Sequence, residues 1–161
     1  MVRKLSVVGA LCAVVALAVA ALVPAAGAVD TSDDTTRWIR VNSFTTEEQF
    51  VDLAPRGFSL GDEFVFSARL MKNGKQVGSL GVVCTVTSTR TETVQCIATA
   101  TFLRWFHGGG QITVQGLLVG EPERFTLAIT GGTGSFVGAE GQVHVRQVSE
   151  TLEVVTFELH D

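Results

Sequence analysis

From Arg37 to the C-terminus, apolar and polar residues alternate with a period of two, and no stretch carries a helical stripe. The alternation predicts strands at Arg37–Ser43, Asp62–Met71, Gln76–Thr87, Thr93–Trp105, Gln111–Val119, Arg124–Thr130, Gly141–Val148 and Leu152–His160. Turn chemistry separates them. Asn73-Gly74 is a two-residue hairpin signal. Gly108-Gly109-Gly110 stops the run after Trp105, and Pro122 within Glu121-Pro122-Glu123 cannot donate to a ladder. Thr45–Phe58 reads as one long irregular link with room for a short helical turn.

Eight antiparallel strands in a domain this small must protect their edges, and closure into a barrel does so. The expected fold is therefore all-β, an eight-stranded antiparallel β-barrel, with a β-sandwich as the competing architecture. The interior of such a barrel is either filled by side chains or holds one small ligand. The segment around Arg90 tests the register. With Thr89-Arg90-Thr91 as the hairpin tip, Cys84 faces Cys96, Val86 faces Val94 and Val82 faces Ala98. All six share one face, so the register that pairs the cysteines also pairs the apolar residues. A disulfide there would contribute about 2–3 kcal/mol in the chain-entropy model. The competing reading is two buried thiols.

The N-terminal segment bears on where those cysteines reside. Arg3 and Lys4 precede an uncharged run from Leu5 to Val23, and Ala26 and Ala28 form a small-x-small box. This predicts a signal peptide over 1–28, a secreted mature chain beginning at Val29, and an oxidising environment for Cys84 and Cys96. A retained membrane anchor is the alternative, since a span needs roughly 17–25 apolar residues. Residues 29–36 (VDTSDDTT) read as a flexible acidic leader, and 37–161 as the barrel domain.

Composition narrows the function classes. The 161 residues are 46% hydrophobic and 17% charged, too apolar for a disordered chain. Removing Arg3 and Lys4 leaves ten basic residues against sixteen acidic, a formal charge of −6, which gives no support to a nucleic-acid partner. It also leaves no polybasic segment to hold the mature chain on a membrane. No two histidines have metal-ligand spacing, so no metal site is expected. His107 beside Trp105 and Phe106 reads as a barrel-end loop residue, with a general base as the alternative. His144 lies on the face opposite Val143 and Val145. Glu47-Glu48 and Asp33-Asp34 read as solvated acid pairs. Gly131, Gly132, Gly134, Gly138 and Gly141 favour tight backbone packing above a buried Phe136, and their spacing fails the dinucleotide-phosphate pattern.

That glycine segment, Phe125 to Gln147 (FTLAITGGTGSFVGAEGQVHVRQ), resembles the allene oxide cyclase barrel family, with a looser likeness to dirigent proteins. Leu60-Gly61-Asp62, Lys75-Gln76-Val77-Gly78, Cys84 and Gln111–Gly116 occur in the family's order. The resemblance implies an eight-stranded barrel with an apolar cavity, often trimeric, and chemistry without a cofactor. Its plant members convert an allene oxide to a cyclopentenone. Carried over residue by residue, Asn42 matches a cavity Asn, but Arg40 stands where a Glu is expected. Ala68 replaces a second Asn, and Leu118 replaces a Tyr. Cys84 matches a cavity cysteine, here facing Cys96.

The expected function is a secreted, cofactor-independent barrel that binds a small apolar molecule, anionic or phenolic, and steers its cyclisation or coupling. The expected pocket is Arg40, Asn42, Phe64, Phe66, Ala68, Ala98 and Leu118, with Arg40 anchoring an anionic group and Asn42 holding a water or carbonyl. Two alternatives stand beside it. The polar side of the first strand faces solvent, or the protein is a non-catalytic carrier or structural barrel with a filled interior. A homotrimer or homodimer follows from the resemblance alone.

Overall fold

The computed structural model describes residues 35–160. The signal segment and all but the last two residues of the leader lie outside them. Eight strands follow one another in order: β1 (Thr36–Val51), β2 (Glu63–Lys72), β3 (Lys75–Ser88), β4 (Thr93–Phe102), β5 (Gly110–Val119), β6 (Arg124–Gly134), β7 (Glu140–Ser149) and β8 (Leu152–His160). Each pairs antiparallel with the next, and β8 returns to β1, closing the barrel. The ring has no free edge, which removes the sandwich alternative.

Local chemistry explains the connections. Asn73 and Gly74 both take positive φ (51° and 74°), the twist that a two-residue hairpin between β2 and β3 requires. At the β3–β4 hairpin, Cys84 pairs with Cys96, Val86 with Val94 and Val82 with Ala98, and a disulfide joins the cysteines.

Two expectations need correction. Thr45–Val51 is strand, not part of an irregular link. The register of β1 against β2 shifts between Thr45 and Glu47, a bulge that swaps which face each following residue takes. Before it, Ile39, Val41 and Ser43 face inward and are buried; after it, Glu48 and Phe50 take the inward parity. That interruption, in a run of polar residues, hides the strand's continuation. The glycine segment likewise continues β6 as far as Gly134. Gly132 is required there by contact, since a Cβ would collide with the carbonyl oxygen of Phe136.

The inward side chains are graded in size along the barrel axis. One end holds Leu70, Phe102, Ile112, Phe136, Phe157 and Leu159, all at most 3% exposed. Phe136 lies against Phe102 (5.3 Å between ring centroids), Phe102 against Phe157 (5.4 Å), and the Arg37 guanidinium sits over the Phe136 ring. This end is plugged. Toward the other end the inward positions are largely smaller, Ala98, Ala100, Val82, Val114, Val143, Val145 and the cystine, interspersed with Phe66, Leu80, Leu118, Phe125 and Leu127. Together they do not fill the ring.

Phe136→Ala is expected to cost about 3–5 kcal/mol in denaturant unfolding, as for other buried aromatics. A cost below about 1 kcal/mol would show that Phe136 is not the plug.

Candidate functional site: a lumen open at one end

The size gradient leaves a hollow. A cavity of about 530 Å³ lies inside the barrel, walled by residues of all eight strands. It continues outward into a recess of about 830 Å³ formed with Phe50, Phe58, Phe64 and Glu92. The inner volume is within the range of about 300–1,000 Å³ typical of small-molecule sites. The lumen is therefore not filled.

The expected pocket residues divide. Phe66, Ala98 and Leu118 line the inner cavity. Phe64 lies at the mouth, its ring 4.9 Å from that of Phe50. Ala68 is buried in the wall, 2% exposed. Arg40 and Asn42 are outside, both exposed. Ile39 and Val41 take the inward positions of β1, and alternation sends Arg40 and Asn42 the other way, sparing the guanidinium a costly desolvation. Arg40 instead lines an outer groove with Arg124, Arg146 and His144. It cannot anchor an anion in the lumen, and Asn42 cannot hold a water there.

Sequence reasoning passed over the polar groups that do face the lumen. Glu153 shares the inward parity of Val155, Phe157 and Leu159 on β8, and its side chain lines the cavity. Burial raises its pKa above the ordinary value of 4.5, toward the neutral carboxylic acid. Its ladder partners are Ser43 on β1 and Gln147 on β7. Ser43 is 1% exposed, and its Oγ is buried without a hydrogen-bond partner. Glu48, brought inward by the bulge, and Glu121 and Glu150 on the connecting loops complete the polar lining with Gln147. The alternation in Leu152–His160 placed Glu153 on the apolar face, so this residue was readable. Glu48 was not, because the bulge reversed its side.

The loop 52–62 beside the mouth is tied down by Asp62, which is fully buried. Its carboxylate accepts hydrogen bonds from the Leu53 N–H (2.8 Å), the Ser59 N–H (2.6 Å) and the Ser59 hydroxyl (3.1 Å). Desolvation works to raise its pKa, but these donors outweigh it and the pKa is lowered. The histidines lie elsewhere. His107 is at the plugged end, its pKa lowered by burial and by Arg37 and Lys72. His144 faces outward, where its ring meets the Glu158 carboxylate at 2.7 Å and the Thr126 hydroxyl at 3.1 Å. Among the described residues, no group of three His, Cys, Asp or Glu is placed to hold a metal.

A closed eight-stranded ring, plugged at one end and hollow at the other, defines a class of barrels that take small molecules into the lumen. Within that class, residues 40–158 match the family model for the allene oxide cyclase barrel like domain, and the chain belongs to this family. Among solved structures it is similar to a pyocyanin demethylase, at 27% identity over 76% of this chain and 99% of that one, with a TM-score of 0.67. A pterocarpan synthase dirigent protein (16% identity, 79% of this chain and 89% of that one, TM-score 0.60) shares the fold. So does the Diels Alderase AbmU from Streptomyces koyangensis, at 14% identity, 81% of this chain, 70% of that one and a TM-score of 0.61.

Glu153 should carry a pH signature. A carboxyl whose pKa is raised by folding favours the native state while protonated and costs stability once pH rises through its folded value. Glu153→Gln is therefore expected to raise the melting temperature at about pH 8 and to leave it little changed at about pH 4, where both side chains are largely neutral. A gain of equal size at both values would show that Glu153 is not held in the cavity wall.

Proposed function

We propose that this protein binds a small, largely apolar molecule in the barrel lumen and guides its cyclisation or a related rearrangement, without a cofactor. The observation that carries this reading is the hollow itself: about 530 Å³ bounded mainly by apolar side chains, with the half-buried Glu153 carboxyl on its wall. Such a chamber can hold a flexible molecule in one reactive shape and keep water from it. Glu153, its pKa raised by burial, is the group on this wall that can exchange a hydrogen bond or a proton with an oxygen or nitrogen of the guest. The membership of the allene oxide cyclase barrel-like family supports chemistry of this kind. The missing family groups, with Ala68 and Leu118 in their places, argue against the plant cyclase reaction itself. The mature chain acts outside the cell on this reading, starting at Val29.

Lumen binding is tested by filling the lumen. Ala98 is 6% exposed and lines the cavity, so Ala98→Phe projects a ring into open space. The neutral fluorophore N-phenyl-1-naphthylamine is expected to bind the unsubstituted protein, and Ala98→Phe is expected to weaken that binding at least about tenfold with an unchanged circular dichroism spectrum. Equal affinity in a folded Ala98→Phe variant would place the probe elsewhere and overturn the reading. A single enantiomer formed from an allene oxide or from coupling phenoxy radicals, and lost in Glu153→Gln, identifies a catalyst; racemic products from both at the uncatalysed rate identify a carrier.

A further inference from the structure

We infer that the guest is an organic cation, an amine or quaternary ammonium compound whose apolar body lies in the lumen and whose charged end rests at the mouth. The inference rests on the lumen-binding reading and adds the charge of the ligand. It starts from what surrounds the opening. The inner cavity and its outer recess are lined by Glu48, Glu92, Glu121, Glu150 and Glu153, and no described residue lining either is Lys or Arg.

Glu48, Glu92, Glu121 and Glu150 crowd four like charges around one opening, with Glu153 deeper on the wall; like charges repel, and a protein that needed only an apolar hole would gain by dispersing them. A bound cation relieves that repulsion. An anionic guest would add to it and would find no positive group to replace its lost hydration. Three of the basic side chains, Arg40, Arg124 and Arg146, line the outer groove on the other side of the wall, and Arg37 and Lys72 lie near His107 at the plugged end. The lining itself therefore presents carboxylates and no cation to a guest.

Two further features point the same way. Phe50, Phe58, Phe64 and Phe66 line the recess behind the acidic rim. Aromatic faces combined with carboxylates are the chemistry that recognises alkylammonium groups, since each ring presents its negative face to the cation. Deeper in, Gln147, on the cavity wall across the ladder from Glu153, offers its amide oxygen as an acceptor for an ammonium N–H of the guest.

The test uses isosteres that differ in charge. Phenyltrimethylammonium and tert-butylbenzene have the same shape, and benzenesulfonate carries the opposite charge. Each is titrated against N-phenyl-1-naphthylamine bound to the unsubstituted protein at about pH 8 and low ionic strength. The cation is expected to displace the fluorophore at a concentration roughly tenfold lower than tert-butylbenzene, with benzenesulfonate the weakest of the three. The advantage should shrink at about 0.5 M salt and in Glu48→Gln/Glu121→Gln, two exposed positions whose substitution leaves the barrel wall intact. Equal displacement by the cation and its neutral isostere, or stronger displacement by benzenesulfonate, overturns the inference while leaving lumen binding in place. Failure of the fluorophore to bind at all overturns both.

Discussion

Closing eight strands into a ring fixes an interior only just wide enough for side chains to fill. Within that width, the size of each inward residue decides whether the barrel is solid or hollow. Here the decision differs between the two ends. Phenylalanines from β4, β8 and the β6–β7 turn meet on the axis at one end, while the other, where alanines, valines and a cystine are interspersed with a few larger apolar side chains, keeps a cavity. The plug holds the fold together, and the shortfall makes the chamber. Both come from the same alternation, read along different stretches of the same strands.

This division also separates stability from function. The plugged end buries large apolar side chains and confers most of the packing. The open end contains features that cost stability: a carboxyl whose pKa is raised by burial and a concentration of acids around the mouth. Consistent local chemistry normally removes such features, and their persistence at one place marks that place as a site. The disulfide between β3 and β4 lies in the wall of this weaker half, where packing across the ring is absent.

Much of the fold was legible from period and turn chemistry. The Cys84–Cys96 register, the turn at Asn73-Gly74 and the burial of Phe136 under the glycine segment all follow from residue types in place. The site was less legible, for two physical reasons. A bulge carries no reliable sequence mark, so the polar run Thr45–Gln49 read as a link, and the inward turn of Glu48 stayed hidden. Arg40 and Asn42 were assigned to the lumen because they share a side, yet the strand's apolar residues, Ile39 and Val41, own the inward face. The same rule applied to β8 puts Glu153 inside, since it keeps step with Val155, Phe157 and Leu159.

The central claim is that an apolar guest enters the lumen and lies against Glu153. Its most direct test is the titration of the Glu153 carboxyl carbon by nuclear magnetic resonance, with the lumen empty and then occupied by N-phenyl-1-naphthylamine. The account predicts a midpoint above 4.5 in the free protein and a further upward movement when the neutral guest displaces water from around the carboxyl. A midpoint at or below 4.5 that ignores the guest would contradict it.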